Sequence, residues 1–249
     1  MSQSDPFSKM SPAYARYRPR YPDALFIYLV SVVPGRTLAW DCGTGSGQAA
    51  LALVPHFDRI VATDASEEQL TQAASHEKIT YRASPAERSG LPARSVDLVT
   101  TAMALHWFDL DAFYAEVQRV LAPRGVLAAW TYHLSRISPE VDAAVSRYYR
   151  DVLGSYWSPR LEWVEDGYRS LPFPFLELDP PRLEMEASWD LAELRGYLST
   201  WSAAQDYREV KGRDPLEDVD DELSAAWGAD QIKRRVRWPI QMRIGREQP

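Results

Sequence analysis

Three glycines alternate in the segment Asp41-Cys42-Gly43-Thr44-Gly45-Ser46-Gly47, with an acid two residues ahead of the first. Glycine tolerates positive φ and lets a backbone approach a ligand closely, so this segment can cradle one. A dinucleotide loop, G-x-G-x-x-G, would need glycine where Gln48 stands. A phosphate-binding P-loop needs Gly-Lys-Ser/Thr, and the segment has no lysine. Asp41 would repel a pyrophosphate and favour a cation. A second acid, Asp64, closes the next apolar run, about 20 residues past the loop, where a carboxylate can accept two ribose hydroxyls. An adenosine ribose on Asp64 with a cationic tail passing Asp41 describes S-adenosylmethionine, whose ammonium and sulfonium are both positive.

Those side chains must be carried by strand ends. Thr37 to Trp40, Arg59 to Thr63, Ile79 to Arg82, Val96 to Thr101 and Val126 to Thr131 read as five short buried strands. The stretches between them form the crossovers of an open, doubly wound sheet. Asp23 to Val33 reads as a helix, with Leu25, Tyr28, Leu29 and Val32 on one face. Ser66 caps the helix after the second strand, with Leu70, Ala73 and Ala74 expected to face inward. Asp109 caps a helix whose Leu110, Phe113, Val117 and Val120 form an apolar stripe. Beyond residue 132 the pattern changes. Ser138-Pro139 opens a helix, residues 154–181 are rich in proline and aromatics, and Asp190 caps another helix. Arg182 to Ser188 and Val236 to Ile244 read as strands, and Pro239 predicts an edge position or a bulge in the second. The expected organisation is an N-terminal helical lid over residues 1–34, a cofactor-binding core over 35–135, a cap and substrate insertion over 136–181, and C-terminal strands and helices completing the sheet over 182–249.

Composition bounds the partners. The chain of 249 residues has 28 basic and 35 acidic side chains, a net charge of −7, which argues against a broadly basic nucleic-acid surface. The single cysteine, Cys42, excludes an intramolecular disulfide framework and suits a reducing compartment. The longest early apolar run, Leu25 to Val33, is far short of the about 20 residues a membrane helix needs. The N-terminus lacks the apolar centre of a signal peptide, so a cytoplasmic location is expected. His56, His76 and His133 show no metal-ligand spacing, and no metal is expected.

DCGTGSG, VATDAS, the Ala86-Glu87 and Leu91-Pro92 segment, and VDLVTTAMALHWF together resemble the class I S-adenosylmethionine-dependent methyltransferases over roughly residues 35 to 131. Tyr14-Ala15-Arg16-Tyr17-Arg18-Pro19 and His106-Trp107-Phe108 are similar to the trans-aconitate methyltransferase-like, small-molecule branch. The resemblance implies an α/β fold: a doubly wound, mainly parallel seven-stranded Rossmann-like sheet with a helical, aromatic-rich cap. It implies that Gly43 and Gly45 line the methionine end of the cofactor and that Asp41 places its amino group. Asp64, with Ala65 and Ser66 beside it, should hold the ribose. Ser84, Ala86 and Glu87 should flank the adenine, although the family's Gly-Asp-Ala-Glu is here Ser84-Pro85-Ala86-Glu87 and lacks the aspartate. Ala102 and Met103 should lie near the methionine part, and Arg18 should pair with the cofactor carboxylate.

For the acceptor, His106, Trp107, Tyr17, Tyr132 and Trp157 are the candidate substrate-binding residues, and His106 is the candidate catalytic group. Methyl transfer from a sulfonium is an in-line displacement in which the protein mainly aligns nucleophile and methyl. A carboxylate arrives ionised and needs only an anchor, for which Arg18, Arg147, Arg150 and Arg160 are available, whereas an amine or phenol would call on His106 or a tyrosine as base. The expectation is a small-molecule acceptor, with a carboxylate giving a methyl ester as the favoured form. The alternatives are a nicotinamide-dependent oxidoreductase, or methylation of tRNA or protein.

Overall fold

The computed structural model describes residues 17–247. Eight strands form one sheet: β1 (Leu38–Cys42), β2 (Arg59–Asp64), β3 (Ile79–Ala83), β4 (Val96–Ala102), β5 (Leu121–Tyr132), β6 (Leu176–Glu177), β7 (Leu183–Trp189) and β8 (Arg234–Arg246). The order is β3-β2-β1-β4-β5-β8-β6, with β7 also paired to β8. β1 to β5 are mutually parallel, and β8 runs antiparallel to β5. β6 and β7 both lie on the side of β8 away from β5, broken between them at residues 178–182, so the sheet has the expected seven positions. Pro239 sits where β8 pairs with β7 but its register with β5 has ended at Ile240, which is how an interior strand tolerates a missing N–H donor.

Helices cover both faces, as a central parallel sheet requires. β1 is buried along its whole length. On one face α1 (Asp23–Val32) and α2 (Gln48–Leu53) bury Leu25, Phe26, Leu29 and Leu53 against Ile60, Leu98 and Trp130. On the other, α4 (Leu110–Val120) is capped by the Asp109 carboxylate and presents Phe113, Val117 and Val120 to Trp40 and Val99. Full burial of each such side chain contributes on the order of 1.5–3 kcal/mol.

One helix departs from its pattern. α3 (Glu67–Thr71) is capped by Ser66 as expected, but it ends after five residues, Gln69 is its buried residue and Ala74 is exposed. The Tyr81 hydroxyl on β3 bonds the Ala74 carbonyl, diverting the chain toward its strand before a second helical turn forms.

A cap stands over one end of the sheet. It combines α5 (Pro139–Arg147), the π-helical turn Tyr148–Val152, α7 (Leu191–Ser199), α8 (Ser202–Lys211) and α9 (Asp220–Trp227). Its core is aromatic: Tyr148, Tyr149, Tyr197, Trp201 and Trp238 pack at centroid separations of 4.7 to 5.9 Å with their neighbours. Val164 of the short helix α6 (Glu162–Glu165), with Tyr168 and Phe175 from the same proline-rich stretch, instead packs on the α4 flank of the sheet. Arg243 on β8 secures that stretch, donating to the carbonyls of Tyr168 and Leu171 and lying 4.6 Å from the centre of the Phe173 ring. No helix of the described residues is long and apolar enough to cross a membrane.

Candidate active site

β1 and β4 are neighbours whose crossovers leave in opposite directions, the switch point where an open α/β sheet binds ligands. A cavity of about 1000 Å³ opens there. Every residue expected at the cofactor site lines it: Arg18, Asp41, Gly43, Gly45, Asp64, Ala65, Ser66, Ser84, Ala86, Glu87, Ala102 and Met103.

The loop after β1 is built for close approach. Gly43, Gly45 and Gly47 all have positive φ, 68°, 54° and 81°. At Gly43 a Cβ would lie 2.6 Å from the Ala104 Cβ, whereas at Gly45 it would meet nothing closer than the Gln69 Oε1 at 3.8 Å. Gly43 is therefore glycine for the protein's own packing, and Gly45 leaves room on the cavity side.

The two acids differ in state. Asp64 accepts from the Gly45 amide at 2.8 Å through one oxygen and from the Ser66 amide at 2.9 Å through the other. Asp64 therefore ties the glycine turn to the end of β2 where it borders the cavity. Asp41 is fully buried, and its oxygens accept the Thr100 hydroxyl at 2.6 Å and the Thr44 hydroxyl at 2.5 Å. Burial pushes its carboxyl up to about 6 even though both hydroxyls favour the ionised form. Its partners are the two threonines and the Ala50 backbone, and it borders the cavity beside the loop it holds.

Other expected residues are tied locally. Glu87 accepts the Asp109 amide, and the Ser84 hydroxyl donates to the Arg88 carbonyl. Met103, just past β4, has φ 55°. Its amide donates to the Trp130 carbonyl, while its sulfur accepts the Thr131 hydroxyl and the Tyr132 amide. A left-handed methionine is strained, and such strain concentrates at functional sites. Sequence reasoning used Gln48 only to reject a dinucleotide; its side chain donates to the Pro19 carbonyl and fastens the Arg18–Pro19 segment over the cavity. It read Gln69 only as the third residue of the Ser66 cap and did not place it at the cavity, because polar helix residues are normally read as solvated.

A second cavity of about 140 Å³ lies beneath the cap and shares Arg18, Met103, Trp107 and Tyr132 with the first. His106 and Trp157 line it as expected, together with Tyr149, Tyr197 and Trp201 from the cap. Tyr17 lines neither cavity; its ring packs against Gly196 of α7. Of the four candidate anchoring arginines only Arg18 lines this cavity. Arg147 pairs with Glu222, Arg150 is exposed, and Arg160 donates to the His106 and Trp107 carbonyls, strapping the cap to the turn after β4. Tyr14, Ala15 and Arg16 lie outside the described residues.

His106 is 2% exposed, and its Nδ1 lies 2.9 Å from the Tyr168 hydroxyl. Burial, then the nearby Arg160 charge, hold its pKa down to about 3, so it is neutral at physiological pH and a feeble base. Burial also lowers the pKa of His133 and raises those of Tyr149 and Tyr197. Among the described residues no group of three His, Cys, Asp or Glu is placed to hold a metal.

The first cavity fits S-adenosylmethionine on the structure's own terms. It joins the Asp64 carboxylate, at the end of the second strand, to a turn whose missing Cβ at Gly45 leaves space for a ligand.

Residues 40–129 match the family described as a methyltransferase domain. A solved structure named as a type II methyltransferase from Anaeromyxobacter dehalogenans is 51% identical and superposes with a TM-score of 0.87, covering 92% of this chain and 98% of that one. A Dictyostelium discoideum protein named as a methyltransferase is 32% identical over 98% of this chain and 95% of its own length. A malonyl-[acyl-carrier protein] O-methyltransferase from Methylovorus is 33% identical over a shorter stretch, 40% of this chain and 37% of that protein. The nicotinamide alternative draws no support from these relatives.

Proposed function

This chain belongs to the class I S-adenosylmethionine-dependent methyltransferases, and from that premise we propose that its methyl acceptor is a small molecule bearing a carboxylate, esterified in the chamber beneath the cap. When bound in the larger cavity, the cofactor supplies a methyl group already activated by its sulfonium. Asp64 and the glycine turn hold the nucleoside, and Met103, Trp107 and Tyr132 stand where the two cavities meet. The observation that carries the acceptor class is the polar content of the smaller chamber. Among the described residues Arg18 is its cation and no carboxylate lines it, and burial shifts His106, His133, Tyr149 and Tyr197 away from service as bases at neutral pH.

An ammonium acceptor would find no acid there to receive it. A phenol or amine would need a base to take its proton. A carboxylate, ionised above about pH 4, needs neither and is matched by a guanidinium. The carboxylate reading also accords with the name of the Methylovorus relative. His106 then serves as a neutral wall of the chamber, oriented by Tyr168.

The test is a methyl-release assay over small acids, amines and phenols with labelled cofactor. Turnover on acids, with product label released by mild alkali as an ester's would be, is the expected result. Turnover confined to amines or phenols would overturn the carboxylate assignment.

A further inference from the structure

We infer that the acceptor is a monoacid with one compact aromatic or branched apolar body, and that small polyacids are excluded; this rests on the carboxylate reading above. Size points that way first. The chamber's volume of about 140 Å³ is close to the roughly 150 Å³ at which an apolar protein cavity takes up benzene. One six-membered ring or a branched chain of similar bulk fills it.

The walls point the same way. Tyr149 and Trp157 stack at 4.7 Å with their planes 32° apart, and Trp201 lies 5.7 Å from Trp157. Leu161 and Val164 add aliphatic surface, so the body of the ligand meets rings and methyl groups. Flat aromatic walls suit a planar or branched apolar group, with ring–ring contact beyond simple burial.

Charge decides against a second carboxylate. Among the described residues Arg18 is the one lysine or arginine lining the chamber, and it stands at the junction with the cofactor cavity, its Nη1 3.0 Å from the Tyr132 hydroxyl. A carboxylate there faces the guanidinium at the mouth of the cofactor cavity. A further carboxylate would have to enter the aromatic end. The Tyr149 hydroxyl is already directed outward to Glu165, an anion that repels another, and the Trp157 N–H is given to the Tyr149 carbonyl. Burying an ionised carboxylate without a partner is strongly unfavourable. The Thr200, Ser202 and Gln205 side of the chamber offers neutral polar groups, compatible with a hydroxyl on the body but not with neutralising an anion.

The experiment compares kcat/KM for ring-bearing and branched short-chain monoacids, benzoate and phenylacetate among them, with di- and tricarboxylates, and with phenols and amines of the same bulk. Binding of each acid is measured in parallel by quenching of tryptophan fluorescence in the presence of S-adenosylhomocysteine. Monoacids should exceed polyacids by about 100-fold or more, as burial of an unpaired carboxylate requires. Trp157→Ala should shift the preference toward monoacids with a longer or wider body, and Leu161→Phe toward smaller ones. Polyacids used as well as or better than monoacids would overturn this inference and leave the carboxylate reading standing. Turnover of phenols or amines alone would overturn both. Monoacids that neither bind nor react, or a size preference unmoved in both variants once circular dichroism shows them folded, would also overturn it.

Discussion

Arg18 donates from its Nη1 to the Tyr132 hydroxyl at 3.0 Å, joining the N-terminal segment to the end of β5 where the two cavities meet. The Arg18 guanidinium also lies 5.7 Å from the centre of the Tyr197 ring on α7. One side chain therefore links cofactor cavity, acceptor chamber and cap, although its neighbours are far apart in sequence.

Arg18→Gln removes the cation of the acceptor chamber while keeping a donor for Tyr132. A hydrogen bond to a charged group is worth about 1.5–3 kcal/mol, so kcat/KM for the acceptor should fall about 10- to 150-fold. The loss should appear chiefly in KM. Arg18→Lys should recover part of it, because it restores charge without the planar fork. Steady-state kinetics with the acceptor varied at saturating cofactor checks this; an unchanged KM would remove Arg18 from acceptor binding.

Asp64→Ala takes away the acceptor for the Gly45 and Ser66 amides together with the carboxylate offered to the ribose. Affinity for S-adenosylhomocysteine should drop about 10- to 100-fold, the scale of one or two charge-assisted hydrogen bonds. Asp64→Asn should do little better, because its amide NH₂ must face a backbone N–H at one of the two positions. Isothermal calorimetry gives the affinity directly, and unchanged binding in both variants would refute the ribose role.

How much of this was legible without coordinates follows from the range of the forces involved. The five parallel strands and the caps at Ser66, Asp109, Ser138 and Asp190 rest on local rules of spacing and capping, and they stand as read, while the glycine turn and both acids come together along one cavity. Gln69 escaped because its burial depends on the glycine turn packed beside it, not on its own helix. Leu70, Ala73 and Ala74 were misplaced because a tertiary bond from Tyr81 ends the helix early. The acceptor chamber draws Tyr149, Trp157, Tyr197 and Trp201 from three separate segments; Trp157 was expected there, whereas Tyr149, Tyr197 and Trp201 each looked like ordinary cap core in its own stretch. Arginine spacing likewise did not tell Arg18, which lines the chamber, from Arg147, which meets Glu222 on the surface.

Gly43 and Gly45 should fail in different ways when given a methyl group. Gly43→Ala places a Cβ 2.6 Å from that of Ala104 at a φ of 68°, so the fold must shift. A loss of about 2–4 kcal/mol is expected, combining left-handed strain with overpacking. Gly45→Ala meets open space and bears only the strain, about 1–2 kcal/mol, while its methyl intrudes on the cavity side. Denaturant unfolding and cofactor binding should therefore separate the pair: Gly43→Ala loses more stability, and Gly45→Ala stays folded but binds the cofactor poorly. Equal stability losses would contradict the difference in surroundings.

Asp41 gives a pH signature. Its carboxyl titrates at about 6 in the folded protein, whereas an unfolded aspartate titrates near 4. The folded state binds the proton more tightly, so this group's contribution is fully present below pH 4 and is lost as pH rises through about 6. The difference amounts to roughly 3 kcal/mol. Asp41→Asn cannot titrate, and one threonine hydroxyl can turn to accept from its amide. Between pH 4.5 and 7 roughly 2 kcal/mol of that difference is lost, so the melting temperature of the variant relative to the parent should climb by roughly 4–7 °C. Scanning calorimetry across that range tests it, and a constant offset would show that Asp41 is not perturbed.

His106 should behave as a wall and not as a base. Its folded pKa of about 3 lies well below the usual value near 6.5, so its contribution to stability is present above pH 6.5 and is lost as pH falls through about 3. Between pH 6 and 8 it does not change charge, and kcat for the acceptor should be flat across that interval. His106→Asn keeps an atom near Nδ1 to meet the Tyr168 hydroxyl but removes the ring packed 4.9 Å from Trp107. The variant should lose about 1–3 kcal/mol of stability through that packing. Its kcat should fall by no more than a few-fold, far short of the 10²–10⁴ expected on removing a general base. A parent profile with a limb near pH 6.5, abolished together with activity in His106→Asn, would instead make this histidine the proton acceptor and turn the acceptor toward a phenol or an amine.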